Sequence, residues 1–135
     1  MALSGDTAII GSPYDDDMGT GSGSVYVFVR WDDRTWEEIQ KLTPADGESV
    51  AISGDTSVIG ARGDDDKGDN SGSGYVYTNI DGKWIENGKI FPEDGASHYH
   101  FGSIVVLLVS SALFGAYGSV FLNFVSAYAV DLCVR

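Results

Sequence analysis

The chain is poor in cysteine, in basic side chains and, over its last quarter, in charge of either sign. Cys133 is the only cysteine, so no disulfide can form within the chain and the redox compartment stays open. Eight Lys and Arg stand against 20 Asp and Glu, for a formal net charge of -12. With no basic stripe to neutralise phosphates, nucleic acid is argued against as a partner. An acidic surface suits divalent cations, basic partners or simple solubility. The opening stretch "MALSGDTAII" has neither a basic n-region nor a long enough apolar h-region, so this chain shows no secretory signal. Catalytic motifs are also missing. There is no Gly-x-Ser-x-Gly elbow, P-loop or zinc-protease helix, and "GTGSGS" at Gly19–Ser24 lacks the helix and lysine that phosphate cradling needs. No nucleophile is paired with a base, so the chain reads as a non-enzyme that requires no cofactor.

Repetition is the strongest feature present. "ALSGDTAIIGSPYDDDMGTGSGSVYVF" at Ala2–Phe28 returns as "AISGDTSVIGARGDDDKGDNSGSGYVY" at Ala51–Tyr77, with about 16 identities in 27 ungapped positions. After a one-residue slip, Trp36 matches Trp84, Lys41 matches Lys89, Pro44 matches Pro92, and Asp46-Gly47 matches Asp94-Gly95. Each unit reads as four short strands: Val50–Ser53, Thr56–Ala61 after an "SGDT" turn, Gly74–Thr78 after an Asp/Gly/Ser loop, and Trp84–Phe91 after "DGK". Four antiparallel strands per period of about 45 to 50 residues is the signature of a propeller blade. A decayed third unit sits at an offset of about 55, with Leu107 on Ile52, Ala112 on Ser57, Gly115 on Gly60 and Ala116 on Ala61. There the turn is Leu108-Val109-Ser110-Ser111, and "SVFLNFVS" replaces the acidic loop.

The fold expectation is therefore all-β: antiparallel four-stranded propeller-blade repeats, about two full units plus a degenerate third, an incomplete β-propeller. The units span residues 1–48, 49–100 and 101–135. Residues 101–130 carry no charge, which sets a rival reading, a membrane-anchored stub with residues 103–130 as a transmembrane helix. Buried propeller strands also read as continuous apolar runs, and the Gly, Ser and β-branched content favours a degenerate blade. Trp36 and Trp84 recur at equivalent places, which argues for packing between blades over a binding platform.

These residues resemble the FG-GAP repeats that build the β-propeller of integrin alpha chains and of many surface proteins, in the variety with a short "SGDT" turn. The resemblance rests on the two long segments quoted above and, more weakly, on "FGSIVVLLVSSALFGAYG" at Phe101–Gly118. It implies a scaffold for a protein or glycan ligand at a cell surface or outside the cell. It also implies about seven blades in a full ring, so the chain reads as a fragment whose unpaired strand edges invite self-association. The opening "FG" is missing from the first unit and deleted from the second.

In the integrin-type repeat calcium is held by a "DxDxDGxxD" loop between the first and second strands. Here that place holds "SGDT", at Ser4–Thr7 and Ser53–Thr56, and one carboxylate cannot supply the six to eight oxygens calcium takes. The aspartate triplets lie in the next loop, on the rim where integrin-like propellers bind ligands. There Asp15, Asp17, Asp64, Asp66 and Asp69 are the candidate ligands of a weak Ca2+ site. Asp16, Asp65, Asn70 and Ser71 are the candidate contact residues of a ligand loop. Neighbouring residues of an extended chain point to opposite sides, so alternate aspartates converge most readily. The competing reading is a solvated, glycine-rich turn. His98 and His100 have the spacing to share one strand face, but no third ligand lies near them, and a connecting-loop role is favoured over metal.

Overall fold

A computed structural model describes residues 1–12, 23–43, 47, 49–63, 71–90, 100–108, 111–118 and 124–131. Among these every regular element is a strand. The first antiparallel sheet is a meander of β1 (Ala2–Ser4), β2 (Thr7–Ser12), β3 (Ser24–Arg30) and β4 (Trp36–Leu42). The second repeats it with β5 (Ser49–Ser53), β6 (Thr56–Ala61), β7 (Ser73–Ile80) and β8 (Lys83–Ile90). The third contains β9 (Phe101–Leu108), β10 (Ser111–Gly118) and β11 (Phe124–Asp131), with β10 in the middle.

Local chemistry sets these hairpins. Ser4 pairs with Thr7 and Ser53 with Thr56 across the two-residue turns of "SGDT". Ile80 pairs with Lys83 across Asp81–Gly82, both at positive φ (52° and 86°), the geometry of a type I′ turn and the reason for the Asp-Gly dipeptide. The decayed third turn keeps the same register, since Leu108 pairs with Ser111 and Leu107 with Ala112, just as Ile52 pairs with Ser57. The apolar tail thus forms strands and not the transmembrane helix that its hydropathy also allowed. No helix among the described residues is long and apolar enough to cross a membrane. The run is apolar because its alternate side chains Val105, Leu107, Ala112, Phe114 and Ala116 are buried against the second sheet.

The three sheets stack face to face, and the strand period of two sends alternate residues to opposite neighbours. Ile9, Val25, Val27 and Leu42 of the first sheet meet Ile59, Ala61, Tyr75, Tyr77 and Trp84 of the second. On its other face the second sheet offers Ala51 and Val58 to Phe101, Val105, Leu107 and Phe114 of the third. Fully burying side chains of this size is worth about 1.5–3 kcal/mol each, so most of the stability sits between sheets.

Polar contacts add register to these two cores. The Gln40 side-chain amide donates to the Trp84 carbonyl (2.7 Å) and accepts from the Trp84 N–H (2.8 Å), binding the first sheet to the outer edge of the second. That contact also covers a stretch of otherwise open strand edge. Ser57 donates its hydroxyl to the Ala51 carbonyl within the second sheet. Some interactions repeat with the units. The amides of Arg30 and Asn79 both donate to the carbonyl of an "SGDT" aspartate, Asp6 and Asp55, at 2.8 Å. Lys41 lies over the Tyr26 ring and Lys89 over Tyr75, each at 5.0 Å, between residues directly opposite on adjacent strands.

Burial, with Glu86 and then Tyr75 adding to it, pushes the Tyr77 phenol well above the ordinary tyrosine range. The folded state therefore keeps this proton when the unfolded chain has lost its own. Stability contributed by the neutral phenol is full below a pH of about 10 and falls as pH rises above it. In urea titrations at rising alkaline pH, Tyr77→Phe is expected to lose stability less steeply than the wild type. Equal slopes would show that Tyr77 does not carry the effect.

Candidate functional site

The connections sort onto two ends of the stack. One end holds the tight turns: Gly5–Asp6, residues 31–35, Gly54–Asp55 and Asp81–Gly82. There the Gly54 N–H donates to Ser4 Oγ (3.2 Å), so consecutive turns touch. Arg30 reaches Asp6 Oδ1 through Nη2 at 2.8 Å and lies over the Trp36 ring at 5.7 Å, while Trp31 Nε1 donates to Glu37 at 2.6 Å. The Asp32 carboxylate accepts from the Arg34 N–H (2.8 Å), which, with further bonds from Thr35, holds it below the usual carboxylate range. A groove of about 280 Å³ lined by Thr56, Thr78, Ile80, Ile85, Glu86 and Asn87 also opens near this end.

The opposite end carries the long connections between second and third strands. Ser12 pairs with Ser24, and Ala61 with Ser73, so both aspartate loops leave and re-enter their sheets at this rim. The link from the first sheet to the second starts from the same end. Of the residues singled out from the sequence, Asp15, Asp16, Asp17, Asp64, Asp65, Asp66, Asp69 and Asn70 lie outside the described residues, as does His98. Ser71 is described: it is buried, and its carbonyl accepts from the Phe101 N–H at 3.0 Å. His100 has a φ of 50°, and its carbonyl accepts from the Ser103 N–H at 3.2 Å, where the chain enters the third sheet. Among the described residues no three His, Cys, Asp or Glu side chains gather as a metal cluster.

The bases of the loops are fixed by close backbone approach, a feature the sequence reading missed. A Cβ on Gly72 would lie 2.1 Å from the Phe101 carbonyl oxygen, and one on Gly23 would lie 2.6 Å from that of Gly47. The second unit, which lacks "FG", therefore puts Gly47 where the third puts Phe101. A Cβ on Gly60 would fall 2.0 Å from the Gly102 carbonyl oxygen, while Ser49 Oγ donates to that same oxygen at 2.7 Å. The "FG" that opens one unit is thus seated on the "GA" of the unit before it. Ser24 and Ser73, at equivalent places beside these glycines, are fully buried, and neither hydroxyl has a hydrogen-bond partner among the described residues.

Stacked four-stranded antiparallel meanders with their long loops on one rim define blades of the β-propeller type. The FG-GAP repeat family matches residues 1–28 and 36–77, more than half of the chain, and the protein belongs to that family. A comparison with curated proteins gives no match. FG-GAP repeats point to a β-propeller-type binding scaffold.

Proposed function

We propose that this protein is a non-catalytic contact scaffold whose Asp/Gly/Ser loops, at 13–22 and 64–70, present one acidic rim to a protein or glycan ligand at a cell surface or outside the cell. The observation that carries this reading is that both loops spring from the same end of adjacent, rigidly stacked blades. Their bases are set by glycine-to-backbone contacts at Gly23 and Gly72. A rigid base lowers the ordering cost when loops engage a partner.

A second reading, weak calcium binding by Asp15, Asp17, Asp64, Asp66 and Asp69, is favoured by the buried, unpartnered hydroxyls of Ser24 and Ser73 at the loop bases. These add oxygen atoms of the kind that calcium takes.

One variant set separates the two. Replacing Asp15, Asp16, Asp17, Asp64, Asp65 and Asp66 by Asn keeps loop size and removes charge. In calcium-free buffer its stability is expected to stay within about 0.5 kcal/mol of the wild type or rise, since exposed like charges are relieved. A glycan array and a panel of basic proteins then read binding, which is expected to be lost in the variant. Binding that survives would move the contact surface elsewhere. Calcium at millimolar levels raises the melting temperature of the wild type alone if the loops hold it. No shift, together with no saturable heat on calcium titration, would sink the calcium reading.

A further inference from the structure

The outer strand of the second sheet carries an Asn-Gly pair where its pairing with β7 breaks step. Val76 stands opposite Gly88 and Tyr77 opposite Glu86, so Asn87 is the extra residue of a β-bulge, outside the one-to-one ladder. Asn87 and Gly88 are both exposed. Nothing lies within 4 Å of the place where a Cβ on Gly88 would stand, so the approach to this peptide unit is open on that side. Asn87 also lines the groove beside Glu86 and Thr78, where water reaches its side chain. The first unit has a bulge at the same place, between Glu38 and Gln40, and its extra residue Ile39 is 37 % exposed although a complete four-stranded sheet follows it. Exposure here goes with the bulge of the outer strand.

We propose that Asn87-Gly88 is a site of spontaneous covalent modification, at which the asparagine amide becomes a carboxylate in the folded protein. The Gly88 backbone nitrogen attacks Asn87 Cγ to close a cyclic imide. The proton it gives up leaves with the side-chain nitrogen as ammonia. Water then opens the imide at either carbonyl, to aspartate or to isoaspartate, so the net change is one water taken up and one ammonia released. Glycine makes the step accessible, because a side chain at that position crowds the attacking nitrogen. The other described asparagine, Asn79, lacks these features: it is half-buried, its N–H is held by the Asp55 carbonyl, and β-branched Ile80 follows it. Modification at Asn87 adds a carboxylate beside Glu86. The isoaspartate product also lengthens the backbone of β8 just before Lys89, which stands over Tyr75.

Peptide masses test the proposal on the intact chain. Cleavage after lysine releases residues 84–89 as one peptide and residues 68–83, with Asn79, as another. The folded protein and a synthetic 84–89 peptide are incubated side by side in mildly alkaline buffer, and fragment masses and released ammonia are followed. Asn87 of the folded protein is expected to gain the amide-to-acid mass increase at a rate within an order of magnitude of the free peptide, while Asn79 stays an amide. Gly88→Ala, whose Cβ meets no neighbour and whose φ is not positive, is expected to keep the fold and slow the conversion several-fold. An Asn87 amide that persists in the folded protein while the free peptide converts would overturn the proposal, since the strand would then hold the two groups apart. Conversion in Gly88→Ala as fast as in the wild type would overturn it too, by assigning the change to direct attack of water.

Discussion

Trp84→Ala is expected to lower the unfolding free energy by about 3–5 kcal/mol, the range for truncating a large aromatic in a well-packed core. Trp36→Ala, at the equivalent place one unit earlier, is expected to cost no more than about 1 kcal/mol, most of it the contact with the Arg30 guanidinium. The side chains are identical, both lie at the start of the fourth strand of a blade, and both face the corresponding side of their sheets. They differ in what stands opposite. Trp84 lies in a cluster with Ile9, Val25, Val27 and Leu42 of the first sheet and is 2 % exposed, whereas Trp36 is 42 % exposed. Urea denaturation of the two variants side by side reads the contrast. Equal losses would mean that the tryptophans act within their own sheets and not between them.

The second large effect concerns a glycine. At Gly74 an added Cβ would lie 2.2 Å from Phe114 Cε1 and 2.8 Å from its Cζ, so the Phe114 ring presses directly on the backbone of β7. That ring is also stacked on Phe101, with centroids 4.8 Å apart and planes 17° from parallel, and it is fully buried. It has little room to move, and Gly74→Val is expected to cost about 3 kcal/mol through overpacking. The loss should fall on the junction of the second and third sheets, which hydrogen exchange reads as faster exchange in β9 and β10 than in β2 and β3.

The position equivalent to Gly74 in the first unit is Val25, and the residue equivalent to Phe114 in the second is Ile59; these two share one buried cluster. One junction thus pairs valine with isoleucine, the other glycine with phenylalanine. The total volume is roughly kept while its division between the sheets changes. Packing at crystal-like density demands such compensation, because neither a void nor an overlap is tolerated cheaply.

Much of the fold was legible in the sequence because its signals are local. Alternation in "SVYVFV", the two-residue turns of "SGDT" and the Asp-Gly of Asp81–Gly82 each fix a hairpin without reference to anything distant. Even the decayed third unit kept enough period-two patterning for Leu108 and Ser111 to pair as the alignment required. The choice between a third blade and a transmembrane helix was harder, since a strand buried on one face and bare on the other differs little in mean hydropathy from a membrane span. Contacts between units were not legible. That Gly47 stands in for Phe101, that Gly60 exists to admit Gly102, and that Gly74 answers Phe114 depend on which residue of the next sheet arrives opposite. No local pattern encodes that. Trp36 and Trp84 show the limit: their recurrence predicts packing between blades, and among the described residues Trp84 meets a neighbouring sheet while Trp36 does not. Of the loop residues, Ser71 alone can be placed, and burial there shows that the base of the acidic loop belongs to the blade junction.

The central claim is that successive FG-GAP units stack face to face through equivalent junctions. The unfolding free energy of the double variant Gly74→Val with Phe114→Ile tests it most directly, because the exchange rewrites the second junction with the residues of the first. Phe114→Ile alone leaves a hole and is expected to cost about 1–2 kcal/mol. If the junctions are equivalent, the valine fills that hole, and the double variant is more stable than Gly74→Val alone, with a coupling of about 1–3 kcal/mol. If the two losses simply add, Gly74 and Phe114 do not meet, and the stacked-blade account is wrong.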